Sequence, residues 1–319
     1  MNRLFSALAL IGAATAAHAA GYPEKSITMI VPYPAGGSSD MVARFMGPKV
    51  NEKLGQPVVI DNRSGANGAI GATIVKRAAA DGYTILVAAI GVYAINPFLQ
   101  KGLAYDPVKD FDPLTLAVRA PNVLVMNPAM PAKNVGEFVG YLKKLPGKVT
   151  FASSGAGSSD HLTAALFWQK TGTSGLHVPY KGGAPAIVDL LGGHADASFQ
   201  NINAILAHVR SGKLKALGIT ADKRAPVLAD VPTMAEGGVK DVVVSSWQAV
   251  AAPKGLPKDA KATLHAALVA ALNDPPTRQK MTDLGFDVVA SSPEVFEQFL
   301  AQELARWKAV IAAGNISLD

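Results

Sequence analysis

Cysteine is absent from this 319-residue chain, so neither a disulfide framework nor thiolate chemistry is open to it, and the fold must rest on its core. Charge is also scarce. Asp, Glu, Lys and Arg make up 17% of the residues and hydrophobic ones 49%, a balance that excludes intrinsic disorder. The formal charge is +6, yet no basic run is longer than Lys143-Lys144, so there is no stripe of cations to track phosphates and nucleic acid is not expected as a partner. Gly (30) and Pro (21) are scattered without period, which rules out collagen and coiled coil. Six histidines show no His-x₃-His or His-Glu-x₂-His spacing and no Gly-x-Ser-x-Gly elbow occurs, so metal and nucleophile-elbow catalysis find no support, and no cofactor is expected.

Apolar runs long enough to span a bilayer, about 20 residues, are missing as well. The one near candidate is the stretch 4–16, preceded by Arg3 and followed by Ala17-His18-Ala19. That order of a basic residue, a short apolar segment and a small-residue site reads as a signal peptide over residues 1–19, with cleavage after Ala19. Without a cysteine at the cleavage site there is no lipid anchor, and a freely diffusing periplasmic protein is expected.

Short apolar runs alternate with helical periodicity along the remainder, the pattern of α/β units with parallel strands. Strands are expected at 27–31, 58–61, 84–88, 123–126, 149–152, 197–199, 214–219 and 242–245. Helices are expected at 39–54, 69–79, 135–144, 158–170, 184–191, 203–211, 258–272 and 293–312, with a break at Gly47-Pro48, where proline would sit in a helix interior. Length suggests two domains. Crossings near Ala120-Pro121-Asn122 and Ser246-Trp247 divide the chain into a discontinuous first lobe, 20–121 plus 249–319, and an inserted second lobe, 122–248.

A pair of matching segments carries the functional signal. Strand 27–31 runs into Pro32-Tyr33-Pro34-Ala35-Gly36-Gly37-Ser38-Ser39-Asp40, and strand 149–152 into Ser153-Ser154-Gly155-Ala156-Gly157-Ser158-Ser159-Asp160-His161. Each is a strand, a glycine loop and a helix start. Glycines let the backbone approach a ligand, serines supply hydroxyls, and the N–H groups of the first helical turn are unpaired. The positive end of a helix favours an anion by about 0.3–1 kcal/mol when exposed and up to about 2 kcal/mol when partly buried. Asp40 and Asp160 disfavour a doubly charged phosphate more than a carboxylate, and no Walker lysine follows either loop. A capped helix start with no ligand is the alternative for each loop taken alone. Ligands in open α/β sheets lie at the carboxyl ends of strands, so both loops are expected to open on one cleft. Ser158, Asp160 and His161 crowd into one helical turn and do not compose a triad; His161 is either a structural histidine or a donor to loop or ligand.

These segments, with Asp61-Asn62-Arg63-Ser64-Gly65-Ala66-Asn67-Gly68, Asp81-Gly82-Tyr83-Thr84, Ala94-Ile95-Asn96-Pro97, Pro179-Tyr180-Lys181-Gly182-Gly183, Asp189-Leu190-Leu191-Gly192-Gly193, Ser246-Trp247 and Ala252-Pro253-Lys254-Gly255, resemble the Bug family, the periplasmic solute receptors of tripartite tricarboxylate transporters. The resemblance covers the chain after the leader, in order. It implies a two-lobed α/β periplasmic binding protein (type II, Venus flytrap), each lobe a mostly parallel sheet flanked by helices, which captures a small organic acid and hands it to a membrane permease. A monomer with no enzymatic activity is expected. The resemblance places the ligand against Tyr33, Ala35, Gly36, Gly37, Ser38, Ser39 and Asp40 of the first loop, and against Ser153, Ser154, Gly157, Ser158, Ser159 and His161 of the second. Ser64 stands where the family commonly has proline. Ala89-Ile90-Gly91-Val92-Tyr93 occupies a pocket-side loop that is usually more polar, which favours an aromatic or extended carboxylate over a small, wholly polar one among mono-, di- and aromatic acids. Tyr180 and Lys181 lie between a strand and a helix, and Lys181 is either a counter-charge in the cleft or a solvated lysine. Gln200 and Asn201 either donate to the distal part of the ligand or cap a turn, and Trp247 is expected to pack at the hinge rather than stack on the ligand. Two other roles compete: a sensor partner that presents its loaded form to a membrane receptor, and an exported hydrolase.

Overall fold

Apolar residues on both faces of 27–31, 58–62 and 84–89 let three short strands pair in parallel, as buried parallel strands do. They are β1 (Ile27–Val31), β2 (Val58–Asn62) and β3 (Thr84–Ala89), in the order β2-β1-β3. The computed structural model describes residues 21–314 and 316–317; the expected signal peptide lies outside the described residues. A second parallel set consists of β5 (Thr150–Ser153), β6 (Leu176–Pro179) and β7 (Ala197–Asn201).

Two longer strands join the sets. β4 (Phe111–Met126) pairs antiparallel with β9 (Ser245–Pro253) along Phe111 to Pro121, then with β7 and β8 (Lys215–Ile219) from Asn122 onward. The short β10 (Asp287–Val288) also pairs with β4, and β9 closes onto β3. The order is β2-β1-β3-β9-β4-β7-β5-β6. Parallel pairing is thus confined to the outer strands, and the middle of the sheet is antiparallel.

Helices fill the connections: α1 (Ser38–Leu54), α2 (Ala69–Lys76), α3 (Asn96–Leu99), α4 (Val135–Lys144), α5 (Ser159–Thr171), α6 (Gly183–Gly192), α7 (Ile202–Arg210), α8 (Lys258–Asn273), α9 (Pro275–Asp283) and α10 (Pro293–Ala313). The expected break at Gly47-Pro48 does not occur. Pro48 and Arg44 are both exposed, one turn apart, on the outer face of an unbroken α1, so the Arg44 carbonyl that loses its donor faces water. The expected strand at 242–245 is also displaced: β9 begins at Ser245 and continues to Pro253. β4 begins at Phe111 rather than 123, with register shifts against β9 at Pro113/Thr115 and Leu116/Val118.

β9 alternates. Trp247, 1% exposed, faces a cluster in which its ring lies 5.7 Å from Tyr93, 6.1 Å from Phe296 and 5.2 Å from Phe299. Its Nε1 donates to Glu303 Oε2 at 2.8 Å, which also accepts from Trp307 Nε1 at 3.1 Å. This junction ties β9 to α10. Replacing Trp247 by Ala removes a fully buried ring and leaves Glu303 short of a donor. Denaturant unfolding followed by circular dichroism is expected to show a loss of about 3–5 kcal/mol; a loss below about 1 kcal/mol would contradict this packing.

Candidate functional site

Four strands end where four helices begin, and all these ends meet. β1 leads into α1, β5 into α5, β6 into α6 and β7 into α7, and the first residues of each helix line one cleft of about 430 Å³. Three of these helices, α1, α6 and α7, have no side-chain cap on their first turn. Their N-terminal N–H groups have no partner within the helix, so the cleft collects unpaired donors. α5 is capped by Ser158, whose Oγ accepts from His161 N at 3.3 Å.

Each matched loop is held by the aspartate that follows it. Asp40 Oδ2 accepts from Gly36 N at 2.8 Å and from Arg44 Nε at 2.8 Å, and Oδ1 from Asn62 Nδ2 at 3.0 Å. Burial works against its charge, but these donors outweigh it and the carboxyl titrates below its usual range. Asp160 accepts from Ser154 N at 2.7 Å, from the Ser154 hydroxyl, from Ser159 Oγ at 3.1 Å and from Gln200 Nε2 at 3.3 Å. Its donors are neutral, so burial dominates and its pKa is raised. The two aspartates therefore occupy equivalent places with opposite electrostatics.

The first loop touches the starts of α7 and α6. Asn203 Nδ2 donates to Ser38 Oγ at 2.9 Å, and the Ser38 hydroxyl lies 2.9 Å from Asn201 Oδ1. Asn201 in turn donates to Asn122, which donates to Thr163 Oγ1 at 2.9 Å. Gly182, at φ +129°, passes so close to Pro34 that a Cβ would stand 2.9 Å from its Cδ, a conformation and an approach that call for glycine.

Of the residues singled out from sequence, Tyr33, Gly36, Gly37, Ser38, Ser39, Ala89, Ser154, Ser158, Ser159, Gln200 and Asn201 line the cleft. Others stand off its wall. Ala35 is exposed beside it and Asp40 is turned back into its own loop. Ser153 Oγ pairs with His177 Nε2 at 2.7 Å behind the wall. Gly157 and His161 are bound to each other, Gly157 N donating to His161 Nδ1 at 3.1 Å. Tyr180 donates to Asp189 Oδ2 at 2.6 Å. Lys181 is exposed and off the wall, which corresponds to the solvated alternative.

The wall also contains residues that motif reading passed over. Ile187, Val188 and Leu191 of α6, with Ala204 of α7, make an apolar side, and their helical spacing reads as core in sequence. Asn203, Ser246 and Gln248 add polar groups, and among the described residues Asp160 is the one aspartate or glutamate on the wall and no lysine or arginine lies there. The Ser246-Trp247-Gln248 alternation, polar on one face of an apolar strand, is the signal that marks the last two.

Behind the second loop, the His161 and His177 rings stack at 3.9 Å and 9°. Burial, with His177 adding to it, lowers His161 to about 3, and burial lowers His177 to about 4, so both are neutral at pH 7.

Comparison with known proteins agrees with this geometry. Residues 42–316 match the family model described as tripartite tricarboxylate transporter family receptor. The chain is 37% identical to Protein BugT of Bordetella pertussis, over 98% of this chain and 97% of that one. Among solved structures it is similar to R. palustris Rpa4515 with adipate, with a TM-score of 0.91 and 34% identity, covering 93% of this chain and 99% of that one. It is also similar to MatC (Rpa3494) from Rhodopseudomonas palustris with bound malate, with a TM-score of 0.87 and 34% identity, covering 91% and 100%.

The histidine pair dictates an acid response. Both groups bind a proton more readily unfolded than folded, so they withdraw stability as pH falls below about 6.5 toward their folded values. In His161→Asn an amide oxygen replaces Nδ1 as acceptor for Gly157 without the titration. Between pH 6 and 4 its unfolding free energy is expected to fall less steeply than that of the unaltered protein, by up to about 1.4 kcal/mol per pH unit. Parallel pH profiles from denaturant titrations would contradict the assignment.

Proposed function

The chain belongs to the tripartite tricarboxylate transporter receptor family, and on that premise we propose that it captures a small organic acid in the cleft and delivers it to the membrane permease of such a transporter. The observation that carries this reading is the convergence of the α1, α5, α6 and α7 N-termini on a cavity walled without lysine or arginine. Amide dipoles hold a carboxylate without a cation. Adipate in Rpa4515 and malate in MatC favour an aliphatic acid of that size, whose methylenes would lie on Ile187, Val188, Leu191 and Ala204.

In this reading the lobes are 20–121 with 249–319, and 122–248, hinged where β4 passes from Pro121 to Asn122 and where β9 begins. The binding set is the eleven wall residues anticipated from sequence, named above, with Asp40 and Asp160 holding the loops in shape. Closure requires contacts that exist only when both lobes meet the ligand, since equal affinity for open and closed forms would shift nothing. The Ser38 loop and the Ser154–Ser159 loop supply them from opposite sides.

Reversible capture without turnover is supported by the position of Ser153: the serine that pairs with a histidine is 1% exposed and off the wall. In this reading the protein acts as a monomer, and the leader-like segment 1–19 supports export to the periplasm.

Ser158→Asp tests the reading. Aspartate is a good N-cap, so α5 remains capped while a negative charge enters the cleft. At about 4 Å two like charges in surroundings of effective dielectric about 20 repel by about 4 kcal/mol. Calorimetry with adipate and malate is expected to show at least a hundredfold loss of affinity with the melting temperature preserved; unchanged affinity would overturn the amide-pocket assignment.

A further inference from the structure

Gln248 is 0% exposed and lies on the cleft wall. Its backbone is fixed on both sides, opposite Ala89 of β3 and Val118 of β4, and its Nε2 donates to Ser246 Oγ at 3.3 Å. Its Oε1 is buried with no hydrogen-bond partner in the protein. A buried amide pole left unpaired is unfavourable unless something else satisfies it. Several other polar side chains on this wall are engaged: Ser38 with Asn203, Ser154 with Asp160, Asn201 with Asn122, and Gln200 with Asp160 and Ser198; the Tyr33 hydroxyl is the other buried wall atom without a partner among the described residues.

We propose that Gln248 reads a second oxygen function on the ligand, a hydroxyl or a further carboxylate, separate from the carboxylate held at the helix N-termini. Either chemistry suits the geometry. A serine hydroxyl both donates and accepts, so the amide turned end for end keeps its bond to Ser246 and presents its NH₂ group in place of its oxygen. The first orientation accepts from a hydroxyl and the second donates to a carboxylate. Gln248 is therefore the specificity residue on β9, lining the same cleft as the apolar residues of α6 and α7. A site whose buried polar group is satisfied only by the correct ligand discriminates against analogues that lack that group. The inference rests on the carboxylate-receptor reading above and names which carboxylates that receptor prefers.

The experiment measures calorimetric affinities of the purified protein for two matched pairs, malate against succinate and adipate against hexanoate. In at least one pair the oxygen-richer acid is expected to bind about tenfold tighter. Gln248→Met, similar in length and apolar, should weaken the oxygen-richer member of that pair, leave its partner unchanged and bring the ratio near one. Gln248→Leu serves as a second variant, and melting curves establish that each variant is folded. Absence of preference in both pairs, an unchanged ratio in the variants, or equal weakening of both members would overturn the role of Gln248 while leaving the carboxylate reading intact. Failure of all four acids to bind would overturn that reading and this inference with it.

Discussion

An anion drawn from water into a cavity must find there a replacement for its hydration, or the transfer is unfavourable by many kilocalories per mole. In this protein the replacement is a set of backbone amides. Four helices start at the cleft, three without a side-chain cap on the first turn, and among the described residues no lysine or arginine lies on the wall. Glycine and serine at 36–39, 153–159 and 182–183 follow from this constraint: only small residues leave the amides within reach of a guest.

Loops made of glycine and serine are soft unless something holds them, and the aspartates at 40 and 160 do this. Each carboxylate reaches back to a backbone N–H of the loop before it and so fixes the curvature of the amide pocket. The price of this device differs between the loops. Asp40 has Arg44 and remains anionic at ordinary pH, whereas Asp160 has neutral donors and is burdened by burial. The second loop thus carries the weaker internal support, and the stacked neutral histidines behind it are a further acid-sensitive component. The network from Ser38 through Asn201 and Asn122 to Thr163 joins α1, β7, β4 and α5 by side-chain hydrogen bonds.

Local structure is well encoded. β1, β3, β5 and α4, α5, α8 and α10 announce themselves through apolar periodicity and caps such as Ser158 and Ser292, because those patterns act over a few residues. β4 and β9 do not. Pro113 and Pro121 break the strand pattern; a register shift against β9 follows Pro113, and Pro121 stands at the end of the ladder with β9, opposite Ser245; Ser245-Ser246-Trp247-Gln248 looks like a polar turn until its neighbours β3 and β4 are in place. The same holds for Pro48, harmless in α1 because the face it occupies happens to be wet.

The amino-acid sequence by itself determined the two glycine-serine-aspartate helix starts and their common chemistry, since a strand, a tight loop and an unpaired first turn are all defined within about ten residues. Only the tertiary structure decided which groups face one another. It turned His161, Ser153 and Lys181 away from the cleft and brought in Ile187, Val188, Ser246 and Gln248. The direction in which a side chain points depends on contacts with residues far along the chain, as Ser38 with Asn203, and no local pattern specifies a partner at that separation.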